Sequence, residues 1–165
     1  MQNLILYHKN ISLPSDLLEF IISEVKQEKY QNESMYTTFP NYDICEPLYG
    51  FYNRLIKRAL FGLTLLHAGF DQSIWAQIYV KGTDAHHKHN HHSVHDQLSW
   101  VHFIKTPDKK CFRFTNGFVP PQDDGDFILF PSWAIHQIQP HSEKDDRIVV
   151  VGNVSLINAH YAEYS

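Results

Sequence analysis

Twelve of the 165 residues are histidine, and six of them crowd into the ten positions from His86 to His95. The segment reads Asp84-Ala85-His86-His87-Lys88-His89-Asn90-His91-His92-Ser93-Val94-His95. Neutral imidazole suits iron, copper, nickel and zinc alike, so this density of rings points to a divalent metal without choosing among them. In an extended strand, residues two apart leave one face about 7 Å from each other, near enough for two imidazoles to turn onto one ion. His87, His89 and His91 share such a face, and the pairs His87 with His89 and His89 with His91 both fit. A solvated His-rich loop has the same composition.

A second stretch supplies a distant partner. Gly125-Asp126-Phe127-Ile128-Leu129-Phe130-Pro131-Ser132-Trp133-Ala134-Ile135-His136 reads as a turn, a buried strand, a Pro-Ser break and a histidine entering the next strand. Further on, Arg147 opens a strand in which Arg147, Val149, Val151 and Asn153 share one face. An arginine among valines is costly to bury without an anion, and a carboxylate ligand supplies one through a two-pronged guanidinium pair. The competing reading is a frayed strand edge with Arg147 paired to Asp145 or Asp146.

The elements that must position these groups follow from periodicity. Pro14 and Ser15 precede Asp16-Leu17-Leu18-Glu19-Phe20-Ile21-Ile22, which predicts a helix starting there and ending near Lys29. Leu48, Phe51, Leu55, Ile56, Leu60, Leu63 and Leu66 recur mostly at three and four, a second amphipathic helix that packs on a sheet. Residues 30 to 46 show no period. From Ile74 onward short runs of β-formers alternate with turn residues, predicting strands over Ile74–Lys81, Leu98–Lys105, Lys110–Thr115, Asp126–Phe130, Ala134–Ile138 and Arg147–Ser155. The expected fold is mainly β with N-terminal helices: one domain over 1–165, with residues 1–70 as helical support and 74–156 as an antiparallel barrel or sandwich.

A formal net charge of −4 lacks the cationic excess that a phosphate backbone demands, so general nucleic-acid binding is not expected. Cys45 and Cys111 are far apart in sequence and form no CxxC, which suits a reducing cytoplasm. The N-terminus MQNLILYHKNISLPSD lacks a secretory pattern, and no window is long and apolar enough to cross a bilayer, so no membrane partner is expected.

The block order Trp75-x-Gln77-x-Tyr79-x-x-Gly82, His89-x-His91, Ser99-Trp100-Val101-His102-Phe103-Ile104, Gly125-Asp126-x-x-x-Phe130-Pro131-Ser132-x-x-x-His136, Arg147 and Asn153 resembles the 2-oxoglutarate- and iron-dependent oxygenases of the prolyl-4-hydroxylase-like superfamily. It is similar in particular to a small group common in bacteria and marine phages, for which the location would be the cytoplasm, that of the host for a phage-encoded chain. The resemblance covers Trp75 to Val154. It implies a double-stranded β-helix (jelly-roll, cupin-like), Fe(II), 2-oxoglutarate and O2 as cofactor and cosubstrates, and hydroxylation with succinate and CO2 as co-products. It also implies that His89 and His91 occupy the His-x-acid position, that His136 is the distal ligand, and that Arg147 grips the C5 carboxylate. Tyr79 would donate to the same cosubstrate, with Asn153 beside it.

Two departures from the family pattern stand out. His91 replaces the usual carboxylate, leaving either a three-histidine site or one in which Asp84 or Asp96 supplies an oxygen ligand where the loop folds back, and Phe103 stands where relatives often carry tyrosine. The missing acid gives weight to a different class, a cupin-like metal-binding or sensing module without turnover, and a structural barrel that merely sequesters metal is a third reading. The primary substrate stays open among peptide, nucleobase and metabolite, as does the oligomeric state; His92, His95, His102 and Trp133 are candidate pocket residues.

Overall fold

A computed structural model of the chain describes residues 4–32, 35–63, 65, 69–80, 82, 86–93, 95–107, 110–140 and 145–157. Helix α1 spans Ser15–Val25 and buries Ile21 and Val25, with Asp16 in its first turn complementing the helix dipole. It stops short of Lys29, and Glu28–Tyr30 forms a 3-10 turn instead. Helix α2 spans Glu46–Gly62 with Pro47 in its first turn, where a missing N–H is harmless. Leu48, Leu55, Ile56 and Leu60 of the predicted stripe are buried, joined by Tyr52 and Ala59, whereas Phe51 and Leu63 are half-buried and Leu66 lies outside the described residues. Among the described residues no helix is long and apolar enough to cross a membrane.

The strands are β1 (Tyr7–Asn10), β2 (Gln31–Asn32), β3 (Met35–Thr37), β4 (Gly69–Tyr79), β5 (His86–His89), β6 (Leu98–Lys105), β7 (Phe112–Phe114), β8 (Asp126–Pro131), β9 (His136–Ile138) and β10 (Arg147–Ile157). All six expected strands exist, and β6 has the expected bounds. Strand β4 begins at Gly69 rather than Ile74 because β10 runs on to Ile157 and pairs with it, Ile157 opposite Gly69. Strands β1, β2 and β3 were not expected: they are short, and β1 and β2 are largely polar and exposed, so neither shows a clean period.

Two antiparallel sheets result, one of seven strands in the order β1-β8-β6-β10-β4-β3-β2 and one of three in the order β5-β9-β7. Because side chains alternate across a strand, each central strand serves two layers. Ile74, Ala76 and Ile78 of β4, with Ile148, Val150 and Val154 of β10, pack in one core cluster with the residues of α1 and α2. Tyr79, Val101, Phe103, Ile128, Phe130 and Val149 turn the other way and meet Phe112, Phe114 and Ile138 of the small sheet.

Two features of the helix-side layer yield predictions. A Cβ on Gly152 would lie 2.6 Å from the Trp100 side chain and 2.6 Å from the Ser73 carbonyl, so only glycine lets the indole lie against β10. Gly152→Ala is expected to cost about 1–3 kcal/mol, read as a lower denaturant midpoint; an unchanged midpoint would contradict this packing.

His102, fully buried, is a core residue and not the pocket residue that sequence allowed. Its Nε2 lies 2.8 Å from the Ile11 carbonyl oxygen, which can only accept, so Nε2 carries the proton and Nδ1 accepts from the Tyr52 hydroxyl at 2.9 Å. Burial lowers its pKa from the ordinary 6.5 to about 4. The unfolded chain therefore binds a proton as pH falls through 6.5, while the folded chain resists until about 4. This stability is complete above 6.5 and disappears across that window, amounting to about 2 kcal/mol between pH 7 and pH 5. His102→Gln, which keeps one donor and one acceptor, should show a shallower fall in stability over that range, and identical pH slopes would refute the assignment.

Candidate metal centre and anion pocket

Strands β5 and β9 pair with His89 opposite His136, which brings a residue of the histidine-rich segment against the histidine that follows the Pro-Ser break. His91 lies just past β5, where its backbone N–H donates to the Ser132 carbonyl at 3.0 Å. One nitrogen from each of His89, His91 and His136 lies within 4.8 Å of the others. Their ring centroids are 4.4 Å (His89–His136), 5.1 Å (His89–His91) and 5.2 Å (His91–His136) apart.

The tautomers of two rings follow from their neighbours. His136 Nδ1 is 3.0 Å from the Ala134 carbonyl and His89 Nδ1 is 2.7 Å from the His87 carbonyl, so both Nδ1 atoms donate and Nε2 keeps the lone pair. Phe112 stacks on His136 at 5.0 Å and Phe130 meets it edge-on at 5.5 Å, fixing the ring. His91 packs against Trp75 at 5.7 Å, and burial, then the neighbouring His89, lower its pKa to about 4, which keeps it neutral near pH 7. The side chain of His87 is exposed and outside this group. Asp96 is outside it too: its carboxylate accepts from Ser93 Oγ at 3.0 Å and Ser155 Oγ at 3.1 Å. Asp84 lies outside the described residues.

Arg147 opens β10 opposite Tyr79 of β4 and is 1% exposed. Its guanidinium carbon lies 5.5 Å from the Tyr79 ring centroid and 5.6 Å from that of Phe103, and its Nη1 is buried with no hydrogen-bond partner among the described residues. Burial lowers its pKa, yet a guanidinium remains cationic in a protein. The acids expected to compete for it are engaged elsewhere: Asp146 with Lys26 at 2.7 Å and Asp145 with Lys105 at 4.0 Å. The Tyr79 hydroxyl donates to Gln77 Oε1 at 3.0 Å, and burial pushes its pKa up to about 12, so it is a neutral phenol.

The three imidazoles and Arg147 line one cavity whose walls include Phe112, Phe130, Ile138, Val149 and Val151, with no aspartate or glutamate among the described residues that line it. His89 also borders an open surface depression formed with Lys88, Asn90, Thr115 and Ile135. Asn153 does not line the cavity; its Oδ1 accepts from Ser99 Oγ at 2.9 Å, and Ser99 is the wall residue. Gln77 had no assigned role, although Trp75-x-Gln77-x-Tyr79 places it on the same strand face as Tyr79. His92, His95 and Trp133 are exposed and outside the cavity lining. Three neutral nitrogen donors suit a divalent first-row metal, and the orphaned Nη1 suits an anion, so the residues fit both a metal and a carboxylate.

If these rings share an ion, His89→Ala and His136→Ala should each weaken Ni(II) binding by more than about 100-fold, beyond the usual effect of losing an outer-shell partner. His87→Ala should change it by less than about threefold, and equal losses at His87 and His89 in a calorimetric titration would overturn the grouping.

No protein-family model matches the sequence, and no curated protein matches it. Solved structures do match the fold. A prolyl-4-hydroxylase from Pseudomonas putida superposes with a TM-score of 0.60 at 15% identity, covering 90% of this chain and 91% of that one. An oxidoreductase of the 2OG-Fe(II) oxygenase family from Burkholderia pseudomallei gives 0.62 at 15% identity, covering 85% and 76%. HygX from Streptomyces hygroscopicus, with nickel and 2-oxoglutarate bound, gives 0.56 at 12% identity, covering 90% and 82%. At these identities the likeness is one of fold, and the two facing antiparallel sheets of this chain form the double-stranded β-helix, or jelly roll, found in those oxygenases.

Proposed function

We infer that the protein is an Fe(II)- and 2-oxoglutarate-dependent oxygenase in which His89, His91 and His136 hold the metal and Arg147 holds the far carboxylate of the cosubstrate. The observation that carries this reading is a buried guanidinium with an unpartnered Nη1 in the same cavity as three converging imidazoles. Its support from likeness is the shared fold, with a neighbour that binds nickel and 2-oxoglutarate.

Iron(II) with 2-oxoglutarate supplies dioxygen activation, with CO2 and succinate released and one oxygen atom delivered to a substrate carbon. The chain supplies position and shielding. The Ala134 and His87 carbonyls orient two ligand rings, Arg147 offers a fixed cation at the cavity wall, and Phe112, Phe130, Val149 and Val151 keep bulk water from the reacting centre. The Tyr79 hydroxyl donates its hydrogen bond to Gln77, so its role toward the cosubstrate is to accept or to pack beside Arg147. Residues 1–165 act as one domain in this reading. A reducing cytoplasm suits both ferrous iron and Cys45 and Cys111, which are buried thiols and not a disulfide. A metal-binding module without turnover has no use for a buried guanidinium, so that alternative is not favoured.

Anaerobically reconstituted protein exposed to air with 2-oxoglutarate should release succinate even without a primary substrate. Arg147→Ala should reduce that release by at least about 100-fold at subsaturating cosubstrate, on the order of losing a buried charge-assisted pair. Succinate formation that is untouched by Arg147→Ala would sink the assignment.

A further inference from the structure

We propose that the metal and the diacid load this site as a charge-compensated pair, because His91 stands where a carboxylate would otherwise neutralise the ion: alone each binds weakly, together tightly. The inference rests on the oxygenase reading above and concerns the order and strength of loading. The cavity presents Arg147 as a cation and the imidazoles of His89, His91 and His136, with no aspartate or glutamate among the described residues of its lining. Tyr79 is a neutral phenol donating to Gln77, and Asp96, whose charge reaches His91 from outside the lining, accepts from Ser93 and Ser155, so neither meets the guanidinium directly. A divalent cation entering this cavity adds positive charge beside an existing buried one, where low dielectric strengthens the repulsion. A diacid entering without the metal leaves one carboxylate facing only neutral rings. With both present, the dianion attracts the ion and the guanidinium at once. Coupling of this kind is reciprocal: the factor by which the diacid tightens the metal is the factor by which the metal tightens the diacid.

The test is Ni(II) affinity of the metal-free protein, measured by calorimetry in three conditions: no acid, saturating 2-oxoglutarate, and saturating 2-oxobutyrate, with free Ni(II) corrected for chelation in solution. Wild type should gain on the order of 100-fold with 2-oxoglutarate and less than about tenfold with 2-oxobutyrate, which chelates alike but lacks the second carboxylate. His91→Asp should bind Ni(II) alone at least about tenfold more tightly than wild type, with its 2-oxoglutarate gain reduced to below about tenfold. Arg147→Met, which removes the resident cation by a different change, should also bind Ni(II) alone more tightly and lose the discrimination between the two acids. Thermal melts of each variant report whether it folds, and either variant suffices. Equal Ni(II) affinity of wild type with and without 2-oxoglutarate, or the same gain in His91→Asp as in wild type, would overturn the proposal. Arg147-dependent binding of 2-oxoglutarate without any gain in Ni(II) affinity sinks only this coupling, whereas 2-oxoglutarate binding that ignores Arg147 sinks the oxygenase reading as well.

Discussion

A guanidinium cannot shed its proton inside a protein, and taking it out of water costs several kcal/mol unless an anion meets it. Arg147 is held at 1% exposure with aromatic faces at 5.5 and 5.6 Å and no carboxylate partner among the described residues. Cation–π contact recovers only part of that penalty. What keeps the side chain inward is the longest ladder of the fold, in which Arg147 is locked opposite Tyr79 and the pairing continues to Ile157 opposite Gly69. A one-residue slip would turn the arginine toward the helices and Ile148 toward the cavity, reversing both layers at once. The ladder therefore holds a desolvated cation that an anionic ligand is suited to meet, and Arg147 stands at its end.

The same alternation explains why one sheet serves stability and chemistry without conflict. Ile148 and Val150 close the helix-side core while Val149 and Val151 wall the cavity. Trp100 shows how tightly the two functions are packed. Its ring stacks on Tyr52 of α2 at 4.5 Å and passes over Gly152, yet it also contributes to the cavity lining. The helices thus brace the sheet from behind through Tyr52, Trp100 and His102, which leaves the opposite face to the imidazoles and the guanidinium.

The residues that came through most clearly in the sequence were those whose type was at odds with their surroundings. Histidines in an extended run, a histidine after Phe-Pro-Ser and an arginine among valines each violate the local composition, and the fold brings His89, His91, His136 and Arg147 to one cavity. Strand β6, apolar through most of its length, was equally legible. Asn153, which parity and the resemblance both placed on the cavity face, stands behind the lining, where its Oδ1 accepts from the Ser99 hydroxyl, a pairing that no sequence spacing specifies. Asp96 looked available as an oxygen ligand until the loop geometry tied it to Ser93 and Ser155. Strand β1 escaped because Tyr7-His8-Lys9-Asn10 owes its place to partners far along the chain: His8 and Asn10 both reach the Asp126 carboxylate, at 2.9 and 3.1 Å.

The three imidazoles are not equivalent, and the difference follows from where each sits. His136 is 3% exposed, stacked on Phe112, edged by Phe130 and tied to the Ala134 carbonyl, so its orientation is set before any ion arrives. His89 and His91 are only half-buried, at and just beyond the end of a short edge strand that pairs with β9 alone, and His89 borders the open depression. A rigid buried ligand facing two more accessible ones gives an ion a fixed endpoint and an approach from the solvent side. That asymmetry also places His91 on the side where loop packing against Trp75 and the Ser132 carbonyl, and not the sheet, determines the geometry.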